Sequence, residues 1–224
     1  MSVLRDQIVN ITQEIESPAL IDPESAYDEV MQTLEKIQNS IQKNKKKAEL
    51  YEEYEETFDF PRNEFYDIDT AEFNLHHLHL LWESLEKWEA WSQEKFSMDF
   101  NSLTVEECKT TVGKFLDTLS ELKAKDEPNE VLTLLDNKVN AFKSKIPCIS
   151  YLRSLQLKER HWQQIEDIAS DDISKGVTLE FIEDRGVFEK TAELKVVFDN
   201  ARAEGKLENL LEHLEQNIQG SKVF

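Results

Sequence analysis

Tyr27-Asp28-Glu29-Val30-Met31-Gln32-Thr33-Leu34-Glu35-Lys36-Ile37-Gln38-Asn39-Ser40-Ile41 sets its apolar side chains three and four residues apart, and Asn44, Ala48 and Tyr51 continue the series. That spacing gives an α-helix one apolar face, whereas a half-buried strand would need alternation. The seven-residue repeat holds for more than three heptads, and the helix it predicts, up to Pro61, is roughly 50 Å long at ~1.5 Å per residue. Asn44 is the one strongly polar residue in the seam. Asp22-Pro23-Glu24 reads as the helix start: a capping acid, a proline in the first turn, then an acid favoured by the helix dipole.

Composition extends this reading to the whole chain. Only five glycines and five prolines interrupt 224 residues, and Leu, Glu and Lys abound, so long helices face few breakers. The predicted fold class is all-α, an elongated array of helical bundles with long antiparallel helices. At 39% hydrophobic content the chain can bury a real core in one elongated domain or two small ones.

A formal charge of −20 argues against nucleic acid, because a polyanion would be repelled. It argues equally against acidic membranes or the acidic face of a microtubule. No apolar run is long enough to span a bilayer, and Ser2-Val3-Leu4-Arg5-Asp6 is no signal-peptide core. Cys108 and Cys148 lack metal-type spacing and read as free thiols of an intracellular protein.

Other helices follow from periodicity and punctuation. Residues 3–16 form a short amphipathic segment closed by Ser17-Pro18. A second long helix is predicted from about Ile68 to Phe96, with Leu75, Leu78, Leu81, Trp82, Leu85, Trp88 and Trp91 apolar. Thr104-Val105-Glu106-Glu107 reads as a capping box opening a third. Pro128 is expected to start a fourth, which Pro147 should stop, since proline lacks an N–H and pushes Ile146 out of the α region. Beyond it Leu152, Leu155, Trp162 and Ile165 resume helical spacing, which places Trp162 against a core and turns Arg153, Arg160 and Gln164 to the wetter face. Thr178 can cap a short helix broken at Arg185-Gly186, and a last helix is expected from about Val187 to Ile218. No period of 20–50 residues repeats, which excludes a solenoid. The expected division is 1–60, dominated by the heptad helix, and 61–224, with the Phe60-Pro61-Arg62-Asn63 turn as hinge.

Candidate chemistry is sparse. Gly113-Lys114 and Gly205-Lys206 lack the first glycine of a phosphate loop: Cys108 and Asn200 stand there. His76 and His79 share a helical face but have no second ligand pair nearby, so no metal or other cofactor is expected. Lys43-Asn44-Lys45-Lys46-Lys47 reads as a solvated face beside the following glutamates. No catalytic acid, base and nucleophile can be picked out.

The segment Ile146-Pro147-Cys148-Ile149-Ser150-Tyr151-Leu152-Arg153, followed by Arg160-His161-Trp162, resembles the "proline, hydrophobic, leucine-arginine … arginine-histidine-tryptophan" signature of dynein heavy chains. Leu78-x-x-Leu81-Trp82-x-x-Leu85-x-x-Trp88, Phe96-x-x-x-Phe100, Thr104-Val105-Glu106-Glu107, and Val131-Leu132 with Asn137-Lys138-Val139 and Phe142-Lys143 extend the likeness upstream. Ala192-Glu193, Ala203-Glu204-Gly205-Lys206 and Leu207-Glu208-x-x-Leu211 extend it downstream, so it covers about Phe58 to Gly220. The resemblance implies the passage from tail to linker in a microtubule motor, with residues 1–60 ending the tail and 61–224 opening the linker. It leans toward axonemal members, hence toward the cytoskeleton of a cilium or flagellum. Its implied partners are the remaining linker and AAA+ ring, which would lie beyond Phe224, with dynein intermediate or light chains as further ones.

Two functions follow as expectations. One is a non-catalytic segment that transmits force, with Pro147, Leu152, Arg153, Arg160, His161 and Trp162 as a structural junction. The other is an adaptor that dimerises through Val30, Leu34, Ile37 and Ile41, with Asn44 setting register. A monomer is expected, in which that seam folds back on the helix of residues 68–96.

Overall fold

The computed structural model describes residues 2–61, 63, 65–125, 129–173 and 176–220. Among them run eight α-helices: α1 (Ser2–Ile15), α2 (Tyr27–Thr57), α3 (Tyr66–Ser97), α4 (Val105–Lys125), α5 (Glu130–Leu152), α6 (Glu159–Ala169), α7 (Leu179–Asp184) and α8 (Thr191–Gly220). A lone bridge between Asp99 and Thr178 is the one isolated β pairing among the described residues. The fold is all-α. Two compact units divide it: Met1–Ala90 with Lys114–Val139, and Trp91–Gly113 with Asn140–Phe224.

The first unit is built around the α2 seam. Val30, Leu34, Ile37, Ile41 and Ala48 are buried, and α1 packs against them through Leu4, Ile8, Ile11 and Ile15, its own apolar stripe. Lys47 Nζ donates to Gln7 Oε1 across that pair at 2.9 Å. On α3, Lys45 meets Asp69 and Glu72, while Tyr27 lies in the field of Glu83, Glu86 and Lys87. The start of α2 therefore faces the end of this stretch of α3, and the two run antiparallel. Trp82 closes the arrangement by donating its buried Nε1–H to the carbonyl of Leu20 at 2.8 Å. Buried Asn44 is satisfied inside the chain: its Nδ2 donates to Ser40 O at 3.0 Å, and its Oδ1 accepts from Lys47. The hairpin expected for the seam is present, with α1 as an additional cover. The dimer seam of the adaptor reading is thereby occupied from within.

Several boundaries differ from the sequence reading, each for a local reason. Asp22 does not cap α2. Its Oδ1 accepts from the amide of Glu24 at 2.9 Å, an Asx turn that competes with the helix, and α2 starts at Tyr27 with Asp28 and Glu29 in its first turn. Pro61 does not end it either. Asp59 takes a left-handed φ of 55° and the amide of Phe60 bonds the carbonyl of Glu55 at 2.9 Å, a Schellman closure made with aspartate instead of glycine. Arg62 of the expected hinge and Pro128, the expected start of a helix, lie outside the described residues. Asn129 caps α5 instead, its Oδ1 accepting from the amide of Leu132 at 2.8 Å.

In the second unit the largest correction is Pro147, which lies inside α5. Proline in a helix interior forfeits one hydrogen bond and costs about 3 kcal/mol. Pro147 itself is exposed, whereas Cys148, Ile149 and Leu152 beyond it are buried. Two buried aliphatic side chains contribute about 1.5–3 kcal/mol each, enough to carry the helix through the proline to Leu152. Thr178 Oγ1 caps α7 as expected, accepting from Phe181 at 3.2 Å, and Gly186 breaks it at φ 65°. A 3-10 turn over Val187–Lys190 then leads into α8.

Candidate functional site

The junction residues gather where α5 gives way to α6. Leu152 is buried as the last residue of α5. Arg153 follows, donating from Nε to the carbonyl of Leu103 at 3.2 Å and from Nη1 to Asn101 Oδ1 at 3.3 Å. Its guanidinium sits 6.0 Å from the ring centre of Phe100. Arg153 thus ties the end of α5 to the turn before α4, and stacking of Tyr151 on Phe198 at 4.9 Å ties it to α8.

Residues 153–158 are not helical enough to continue the stripe, and this resets the phase of α6. Leu155, expected on the apolar face, is fully exposed. Trp162, expected against a core, is only half-buried. The buried positions of α6 are His161, Ile165 and Ala169, an i, i+4, i+8 series that leaves Trp162 about 100° away on a 3.6-residue turn. Arg160 and Gln164 are exposed as anticipated.

His161 therefore occupies the place assigned to the tryptophan. It stands at the third helical position, where a glutamate or glutamine often reaches back to the cap amide. Its Nδ1 does this work, accepting from the backbone N–H of Lys158 at 3.1 Å. A neutral ring that accepts at Nδ1 carries its proton on Nε2, and Nε2 faces Glu204 Oε2 of α8 at 3.1 Å. His161 thus bridges the start of α6 to a carboxylate of α8. Arg160 also pairs with Glu204, and Lys158 pairs with Glu208 one turn further along α8.

Three side chains of one helix start thus clamp two carboxylates of another helix. The hydrogen bond from Arg160 holds the Glu204 carboxyl below its ordinary range, with smaller help from the charges of His161 and Lys158. A depressed carboxylate stabilises the fold above its unfolded pKa and loses that contribution as pH falls through the folded value. The Arg160–Glu204 pair should therefore weaken in acid below the ordinary carboxylate range. Ion pairs at exposed carboxylates are heavily screened by water and add little stability, so their role is direction more than strength. At the other end of α6, Lys190 Nζ donates to the carbonyl of Ile168 at 2.6 Å, serving the carbonyls that a helix end leaves open.

Other candidates are accounted for by their surroundings. Gly113 and Gly205 lie inside α4 and α8, so neither Gly-Lys pair forms a phosphate-binding loop. His77 is buried with its ring edge-on to Phe73 at 4.0 Å, and His76 is exposed. Among the described residues no three His, Cys, Asp or Glu side chains gather as metal ligands. Cys108 and Cys148 are free and buried. Burial raises both thiols, Cys148 to about 11, which keeps them protonated and unreactive near neutrality. The sequence reading gave Lys158, Glu204 and Glu208 no part in the junction, although the resemblance covered both glutamates; the four-residue step from Glu204 to Glu208 was the available signal.

Residues 68–223 match the family model described as dynein heavy chain, N-terminal region 2. The chain belongs to the dynein heavy chain family. Among curated dyneins it is 27% identical to human dynein axonemal heavy chain 6 over 96% of this chain and 5% of that protein. It is 30% identical to human dynein axonemal heavy chain 2 over 66% of this chain and 4% of that one. It is also 27% identical to the dynein-1-beta heavy chain of the flagellar inner arm I1 complex of Chlamydomonas reinhardtii, over 55% of this chain and 3% of that protein. The chain thus spans about one-twentieth or less of the dyneins it matches, and its likeness is to the axonemal type. The clamp falls inside the family-matched stretch on both sides, at residues 158–161 and at Glu204 and Glu208.

Proposed function

We propose that this chain is a non-catalytic mechanical segment of an axonemal dynein heavy chain, working where the tail passes into the linker. In this reading residues 1–60 end the tail and residues 61–224 open the linker. The segment's partners are the rest of the heavy chain, with its linker and AAA+ ring, and the intermediate or light chains of an arm on a ciliary or flagellar axoneme. It needs no cofactor of its own. The observation that carries the reading is the clamp: His161, buried between the amide of Lys158 and the carboxylate of Glu204, locks a helix start to the side of a 30-residue helix. A lever needs such joints, because a close-packed, cross-braced interior passes on displacement instead of absorbing it.

The test is a complete axonemal heavy chain carrying Arg160→Ala with Glu204→Ala. The expected result is slower microtubule gliding at undiminished basal ATP hydrolysis. Unchanged gliding speed would contradict the mechanical role. The isolated chain should turn over no ATP, and turnover that co-purifies with it through every step would contradict the non-catalytic part.

A further inference from the structure

The face of α2 that turns away from its buried seam is bare. Lys43, Lys46, Glu49, Leu50, Glu53, Tyr54 and Thr57 are all exposed, as is Phe58 at the helix end. At about 100° per residue, Lys43, Lys46, Leu50, Glu53, Tyr54 and Thr57 fall within a strip roughly 100° wide. Ile37, Ile41 and Ala48 of the seam lie roughly 140–180° round the helix from Leu50. Leu50, Tyr54 and Phe58 are 46%, 50% and 64% exposed, and their steps of four set them on one packing ridge. Single exposed apolar residues need no explanation, but a contiguous group marks a contact surface.

The charges on the strip say what the contact is with. Its first half is basic and its second half acidic. Within the basic run, Lys45 is used inside the unit, on Asp69 and Glu72 of α3, and Lys47 on Gln7 of α1. Lys43 and Lys46 have no ion-pair partner among the described residues, and neither have Glu49 and Glu53. Two unpaired cations thus precede Leu50 and two unpaired carboxylates surround it or follow it. A uniformly basic or uniformly acidic helix would meet like charge in one half of the strip, which is costly. The complement must be bipolar, and the strip is its own complement when run antiparallel.

We infer that the Lys43–Phe58 strip of α2 pairs with the same strip of a second copy of this chain, antiparallel about a two-fold axis at Leu50. Leu50 then meets Leu50 of the other copy, and Lys46 comes beside Glu53 with its ammonium toward the Tyr54 ring. The contact is isologous, the same patch serving both sides. It leaves the buried seam of Val30, Leu34, Ile37 and Ile41 untouched. The net charge of −20 opposes association at long range, but screening over about 8 Å at physiological salt leaves the local blocks to set the register.

The experiment is sedimentation of the 224-residue chain from micromolar to millimolar concentration. A reversible, concentration-dependent dimer is expected. Leu50→Asp, Lys46→Glu and Glu53→Lys should each weaken it by at least about tenfold, with far-ultraviolet circular dichroism unchanged because all three positions are exposed. Mixing the Lys46→Glu chain with the Glu53→Lys chain should restore dimerisation, since both cross-copy contacts are again between opposite charges. Leu211→Asp, at an exposed leucine of α8, should leave the dimer as it is. A chain that stays monomeric throughout, a dimer indifferent to the three substitutions, a mixture that fails to recover, or a dimer lost at Leu211 each overturns the proposal. Because the readout is mass and involves neither gliding nor ATP, its failure leaves the mechanical reading standing.

Discussion

Helices α2 and α8 are nearly equal in length, 31 and 30 residues, and both carry a 4-3 apolar series, yet they end in opposite environments. The α2 seam is buried, covered by α1 and by part of α3. The α8 series, from Val196 to Leu214, is exposed along its length. Periodicity thus specifies that a helix forms and which face seeks cover. It does not specify what provides the cover. For α2 the answer lies in fourteen residues at the chain's beginning, whose own stripe (Leu4, Ile8, Ile11, Ile15) is complementary.

The largest effect separating the two helices should come from the α2 seam. Leu34 is fully buried, so Leu34→Ala should cost about 2–5 kcal/mol in denaturant unfolding through lost burial and a cavity. Next is Pro147→Ala. Because α5 runs through this exposed proline, the substitution should stabilise by up to about 3 kcal/mol, restoring a helical hydrogen bond and removing a helix breaker. Had the helix stopped there, the same change would have been mildly destabilising, so the sign of the shift in melting temperature reports where α5 ends.

His161→Phe should cost about 1–3 kcal/mol, since it strips the Lys158 amide of its acceptor. Trp162→Ala, at a half-buried position, should cost less than the ~3–5 kcal/mol of a core tryptophan. The smallest effect is expected for Leu211→Asp, which should stay within about 0.5 kcal/mol of the parent chain, as exposed positions do. A loss as large as that of Leu34→Ala would erase the contrast between the two helices.

The sequence made the helices legible and their junctions much less so. The seam of α2, the cap at Thr178 and the break at Gly186 depend on residues close in sequence, and all were readable. Pro147 was misread because a local rule was outweighed by Ile149 and Leu152, whose burial no local pattern reveals. Trp162 was misplaced because the connection at 153–158 reset the helical phase, exchanging it with His161. The clamp joins residues more than forty positions apart. The family resemblance pointed to both of its sides, Arg160-His161-Trp162 and Ala203-Glu204, but only the structure brings them into contact.

The central claim is that the clamp fixes the direction of α8. Spin labels at exposed Gln163 of α6 and exposed Glu212 of α8 test it by pulsed electron–electron distance measurement, with buried Cys108 and Cys148 replaced by serine or alanine. The account predicts a single narrow distance distribution that broadens or shifts in Arg160→Ala with Glu204→Ala, while far-ultraviolet circular dichroism stays the same. A distribution already broad in the parent chain, or one that the double substitution leaves untouched, would contradict it.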